Sequence, residues 1–154
     1  MDSLLGTARC TCLALLSSAS AFLGLQHAAI GGSDLPGPIP AELVRVIDGD
    51  TIEVRARIWL DIDVTTRVRL AGVDAPEIDG ACDLERRRAR AARRFVETWI
   101  GEHAPVALHD IRRDKYGGRV VADVIATGGD DLAQALLTAR LAHSIGTDPG
   151  RWCR

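Results

Sequence analysis

Hydrophobic and polar residues alternate with a period of two through much of the chain after residue 42, the signature of half-buried strands. Residues 43–47 (LVRVI) predict a first strand, and Asp48-Gly49-Asp50 reads as a tight turn of the kind that joins hairpin strands. A second strand follows over 51–57, with Ile52 and Val54 alternating against Glu53 and Arg55. Residues 57–60 extend it or begin another, and 61–63 turn the chain. In 64–73, Val68 and Leu70 point one way while Arg67 and Arg69 point the other. Ala75-Pro76 ends that run. The period then changes to 3.6 between Asp83 and about Gly101, where Ala92, Phe95, Val96 and Trp99 form an apolar stripe and Asp83 is the expected cap. Strands are expected again at 105–111 and 119–126. Asp131 followed by Gln134 resembles a capping box that opens a second helix to about Arg140. Residues 145–154 look short and irregular.

Five strands, a helix after the third and a helix at the end predict an α+β domain. The architecture expected is a five-stranded, partly open Greek-key barrel of the oligonucleotide-binding (OB) type with two packed helices. A length of 154 residues fits one such domain. The uncharged apolar run at 12–25, preceded by Arg9, marks residues 1–29 as an export signal or an uncleaved N-terminal anchor. The Gly- and Pro-rich residues 30–40 are expected to be an extended linker, leaving 41–154 as the domain.

Charge changes the picture locally. The net charge of −2 does not announce a nucleic-acid binder, yet the basic residues are uneven. Lys115 is the only lysine, and Arg86, Arg87, Arg88, Arg90, Arg93 and Arg94 share one segment. That segment reads as a solvated helix face, with an electrostatic track for a polyanion as the alternative. Cys10 and Cys12 would leave with a cleaved leader. Cys82 and Cys153 remain, either as a disulfide in an oxidising, extracytoplasmic compartment or as two free thiols. His103, His109 and His143 have no ligand spacing and are expected at the surface. Trp59, Trp99 and Trp152 read as core or rim packing.

The chemistry concentrates at the ends of the strand-like runs. Asp48, Asp50, Asp74, Glu77 and Arg69 stand where a core does not want them. Carboxylates suit a hard divalent cation and arginine suits phosphate, so the set points to a cation beside an anionic substrate. Gly49 lets the turn project Asp50, and Pro76 stiffens the loop that carries Asp74 and Glu77.

The ordered motifs IDGDT, RLAGVDAPE and Asp114-Lys115-Tyr116-Gly117-Gly118-Arg119 resemble the staphylococcal (thermonuclease) nuclease family over residues 42–143. The loop 77–82 and Trp152-Cys153 look like its short, exported bacterial branch. The resemblance implies a calcium-dependent nuclease that hydrolyses phosphodiester bonds of DNA or RNA and leaves 3′-phosphates. It implies Asp50, Asp74 and the backbone carbonyl of Ala75 as calcium ligands, with Asp48 and Thr51 supporting them. Glu77 would be the general base, Arg69 and Arg119 the phosphate clamps, and Lys115 and Tyr116 contacts to the nucleic acid. Where the family's usual turn has arginine directly after Tyr-Gly, Gly118 intervenes, so a bulge is needed to bring Arg119 in, and Arg113 is the substitute. The alternative is a nucleic-acid-binding OB-like module with little or no catalysis. Either way a monomer is expected, with nucleic acid as its partner and membrane contact only if the leader is retained.

Overall fold

The first strand is where the fold departs most from the alternation pattern. In the computed structural model, which describes residues 34–146 and 152–153, β1 spans Ile39–Val46 and so begins inside the segment expected to be linker. Barrel closure supplies the reason. β1 must pair with β2 (Thr51–Trp59) on one side and, through Ile39, Pro40 and Ala41, with β5 (Val106–Arg113) on the other. Leu35 adds a bridge to Ile111. A register shift between Leu43 and Arg45 leaves Val44 exposed, as a bulge does. The expected leader lies outside the described residues, which belong to the unit Gly31–Arg154.

β3 (Ile62–Leu70) pairs antiparallel with β2 and parallel with β6 (Arg119–Ala126), which pairs antiparallel with β5. The order β1-β2-β3-β6-β5 closes into a barrel. The fold is therefore α+β, an OB-like five-stranded closed barrel with two packed helices. Ile52, Val54, Val68, Leu70, Leu108 and Val124 point inward and are at most 1% exposed. Each contributes about 1.5–3 kcal/mol by leaving water. The intervening positions carry charge, and Arg45 pairs with Glu53 on the outer face at 2.7 Å.

The 64–73 run is broken. β3 stops at Leu70, Ala71-Gly72 turns with Gly72 at φ 74°, and Val73–Asp74 forms a short β4 that pairs with β7 (His143–Ser144). α1 (Asp83–His103) covers the barrel with Ala89, Ala92, Val96, Trp99 and Ile100, while Phe95 is only half-buried. Its N-cap is Cys82, not Asp83: the Cys82 sulfur accepts the Glu85 N–H at 3.4 Å, and Asp83 instead pairs with Arg86. α2 (Leu132–Thr138) is capped by Asp131, whose Oδ1 accepts from Ala133 N at 2.7 Å and Gln134 N at 3.1 Å. It ends short of Arg140, which adopts φ 56°.

The tryptophans divide. Trp99 and Trp152 are buried, but Trp59 is 70% exposed at the end of the β2–β3 hairpin and does not pack in the core or its rim. His103 is half-buried, stacked on Trp99 at 4.5 Å. Cys82 and Cys153 are joined by a disulfide across 71 residues. Among the described residues no helix is long and apolar enough to cross a membrane.

Candidate functional site

The β1–β2 turn is built by its own backbone. The N–H groups of Ile47 and Asp48 both donate to the Thr51 carbonyl, at 2.9 and 3.2 Å, and Asp50 N–H donates to Asp48 Oδ1 at 3.2 Å. Gly49 lies against α1 and the loop after β4. A Cβ placed there would sit 2.6 Å from Ala92 Cβ and 2.8 Å from Ala75 Cβ. The missing side chain lets the turn press inward, and Asp50 is consequently 1% exposed. Asp50 Oδ2 accepts the Ala75 N–H at 2.7 Å, and Oδ1 accepts the Thr51 hydroxyl at 3.0 Å.

Register brings the arginine in. Thr51 pairs with Arg69 across the β2–β3 ladder, and the Arg69 guanidinium forms ion pairs with both Asp50 and Asp74, the latter at 2.9 Å. It also donates to the Val73 carbonyl at 3.3 Å. Burial pushes the Asp50 carboxyl up to about 6; Arg69 and the Ala75 N–H pull against that, while Asp48 adds to it. Glu77 is also held above the ordinary carboxylate range, first by burial and then by the charge of Asp50, with Arg69 opposing and Asp74 adding.

The β5–β6 turn supplies the far wall. Gly118 takes φ 79°, and β6 begins at Arg119, whose guanidinium pairs with Asp114 and lies 5.5 Å from the Tyr116 ring centroid. Lys115 Nζ sits 4.9 Å from the same ring. Burial raises Asp114, but the Arg119 hydrogen bond and charge outweigh it and hold that carboxyl below its ordinary range. Gly118 takes its left-handed conformation without a side-chain clash.

A cavity of about 530 Å³ opens between these walls. Of the residues singled out in the sequence, Asp48, Thr51, Arg69, Asp74, Glu77, Lys115, Tyr116 and Arg119 line it. Asp50 and Ala75 do not; they stand behind Arg69, in the wall. Arg113, the substitute for Arg119, lines neither this cavity nor its neighbour of about 420 Å³ on the other side of Arg119. Sequence reasoning missed Asp114, His143, Ser144 and Ile145 in the lining. Asp114 was legible as the head of the turn motif. The other three arrive through β4–β7 pairing, for which no local pattern exists.

The donor chemistry fits a hard divalent cation. Asp50 and Asp74 are carboxylates, the donor type such an ion takes, and Arg69 bridges the two, which brings them to one place beside Ala75. A second group, Cys82, Glu85 and Cys153, offers ligand atoms within 4.8 Å of one another. While those sulfurs are bonded to each other they cannot serve as thiolates, and Glu85 remains alone.

Two curated relatives, uncharacterized endonucleases of Escherichia coli and of Escherichia coli O157:H7, are each 31% identical over 114 residues, covering 72% of this chain and 66% of their own length. The chain thus spans just under two thirds of the relatives it matches. A family model described as staphylococcal nuclease homologue matches residues 67–149, more than half of the chain. That stretch carries Arg69, Asp74, Glu77 and Arg119, and β2–β3 register adds Asp50 from outside it. The chain belongs to the staphylococcal nuclease homologue family.

Proposed function

We propose that the protein is a metal-dependent phosphodiester hydrolase acting on DNA or RNA. The carrying observation is the charge balance of the cavity. Asp48, Asp74, Glu77 and Asp114 line it against Arg69, Lys115 and Arg119, with the Asp50 carboxylate behind Arg69 in the wall. A phosphate entering alone meets net repulsion, and a divalent cation cancels it. Asp50, Asp74 and the Ala75 carbonyl would hold such an ion, calcium by family resemblance, which when bound would supply electrophilic polarisation of a phosphoryl oxygen.

The chain's own groups account for the rest. Arg69 and Arg119 present planar guanidiniums to the equatorial phosphate oxygens, where charge grows in the transition state. Glu77 takes the proton of the attacking water, and its raised pKa makes it a stronger base than an ordinary carboxylate. Tyr116 and Lys115 form a polar rim for the adjoining nucleotide. The disulfide, which persists in oxidising compartments, supports an extracytoplasmic site of action.

A second reading, a nucleic-acid-binding OB module with little or no catalysis, draws on the Arg69 bridge. By closing on both Asp50 and Asp74, Arg69 already neutralises two of the ligands. A single-stranded DNA assay of the purified chain in calcium, in magnesium and in chelator separates the two. Hydrolysis predicts cleavage that chelator abolishes and that Glu77→Gln removes without unfolding. Tight oligonucleotide binding with no cleavage in millimolar calcium selects the binding module.

A further inference from the structure

The arginine segment acquires a geometry in α1 that composition does not reveal. Between residues 86 and 94 there are six arginines and no acid. At about 100° per residue, Arg87, Arg90 and Arg94 fall within one narrow stripe, on the side of the helix opposite the buried Ala89, Ala92 and Val96. All three are exposed. The other three are engaged: Arg86 pairs with Asp83, Arg93 with Glu97 at 3.1 Å, and Arg88 donates to the Trp152 carbonyl at 3.2 Å. Arg87, Arg90 and Arg94 form no ion pair or hydrogen bond among the described residues. Only the field of Asp83, itself committed to Arg86, reaches Arg87 and Arg90.

A merely solvated face would gain from interspersed acids at i±3 or i±4, each worth a few tenths of a kcal/mol. Here the only acids near the stripe stand at its two ends, Asp83 before Arg87 and Glu97 after Arg94, and each is paired with another arginine, so the like charges repel along its length. Arginine rather than lysine also suits bidentate contact with phosphate. Seven residues of helix rise about 10 Å, a length that spans about two to three successive phosphates of one backbone strand.

We propose that the outer face of α1 is a second, sequence-independent docking surface for the nucleic-acid backbone, separate from the cavity. The stripe lies opposite the helix face that meets Gly49 of the site turn. It therefore holds a part of a long polymer other than the segment being cut, and raises affinity for long substrates without touching the reacting phosphate. The choice of nucleic acid rests on the hydrolase reading, since a polymer cut at the cavity is the polyanion within reach.

The test uses the full chain with Glu77→Gln, so that binding is read without cleavage, and the triple variant Arg87→Gln/Arg90→Gln/Arg94→Gln in that background. Affinity for a 20-base-pair duplex is measured from 50 to 300 mM salt in calcium. The triple variant is expected to lose about 2–3 from the slope of log affinity against log salt, which is about 10³-fold in affinity at 50 mM, shrinking to about tenfold at 300 mM. With Glu77 restored, turnover of a chromogenic mononucleotide phosphodiester is unchanged. The matching Lys triple variant keeps the slope. An unchanged slope overturns the proposal, as does equal loss in the Lys variant, which would indicate a structural effect. Loss confined to vesicles of anionic lipid, with duplex binding intact, overturns it in favour of a membrane surface. Absence of cleavage by the wild-type chain defeats the hydrolase reading alone and leaves this slope comparison standing.

Discussion

Asp50 in the β1–β2 turn accepts the backbone N–H of Ala75, 25 residues further on, at 2.7 Å. This one bond ties the hairpin turn to the loop that carries Asp74 and Glu77. It also takes Asp50 out of water, and the raised pKa of the carboxyl follows from that burial.

Stability in chelator should therefore carry the titration of Asp50. Its folded pKa of about 6 lies above the ordinary value, so the folded form binds the proton more tightly than the unfolded chain. The resulting stability is complete below the unfolded pKa and is lost as pH rises through about 6. Relative to Asp50→Asn, the wild type should lose on the order of 2 kcal/mol between pH 4 and 7.5 in urea titrations with chelator. In saturating calcium the same difference should rise with pH, because the ion binds the ionised carboxylate. A difference that is flat in both conditions would show that burial of Asp50 is not coupled to its charge.

Gly49→Ala should destabilise by about 1–3 kcal/mol. Both obstructing atoms, Ala92 Cβ and Ala75 Cβ, hang directly on backbone and cannot swing aside. The turn must retreat from α1, lengthening the Asp50–Ala75 bond. Urea unfolding gives the stability. Calcium affinity should fall alongside it, and a variant as stable as wild type would contradict the close packing.

Arg119→Ala should reduce cleavage by about 10²–10³-fold, the usual effect of removing one donor to transition-state charge. Gly118→Ala meets no atom within 4 Å, so its cost is conformational alone, about 1–2 kcal/mol for φ 79°. Its turnover should lie between wild type and Arg119→Ala. Wild-type turnover in Arg119→Ala would mean that the second guanidinium is idle.

Reduction of the disulfide, or Cys82→Ala with Cys153→Ala, should lower stability by up to roughly 4 kcal/mol, the chain-entropy value for a loop of this length. The barrel core does not involve either cysteine, so the reduced protein should keep its far-ultraviolet dichroism at 25 °C while its melting temperature falls. Equal melting of oxidised and reduced forms would show that the bridge constrains little.

Much of this molecule was legible in local pattern. Period-two alternation marks β2, β3 and β6 because those strands have one wet face and one dry face, and Ile52, Val54 and Val68 against Glu53, Arg55 and Arg67 make the contrast sharp. Asp131 announced α2, since an acidic cap acts on the two N–H groups beside it. The IDGDT and RLAGVDAPE motifs and the Asp114–Arg119 turn together hold the polar groups around the cavity except His143 and Ser144. The run of arginines on α1 could be read only as a solvated face or a polyanion track, because which of them are engaged by Asp83, Glu97 and the Trp152 carbonyl is a three-dimensional matter.

What only tertiary structure decided is where non-local contacts rule. Ile39 and Pro40 became strand because a closing barrel needs a partner for β5, although the Pro and Gly around Ile39 disfavour a strand locally. The cap of α1 passed to Cys82, whose position is set by its bond to Cys153, 71 residues away. His143 entered the cavity wall through pairing with Asp74, and Asp50 left the surface because Gly49 meets Ala92. Residue types and their order determined the barrel and its chemistry, since hydrophobic burial and turn geometry act over a few residues. The burial of Asp50 and the bridging role of Arg69 depend on distances between segments far apart in the chain, which no short-range pattern encodes.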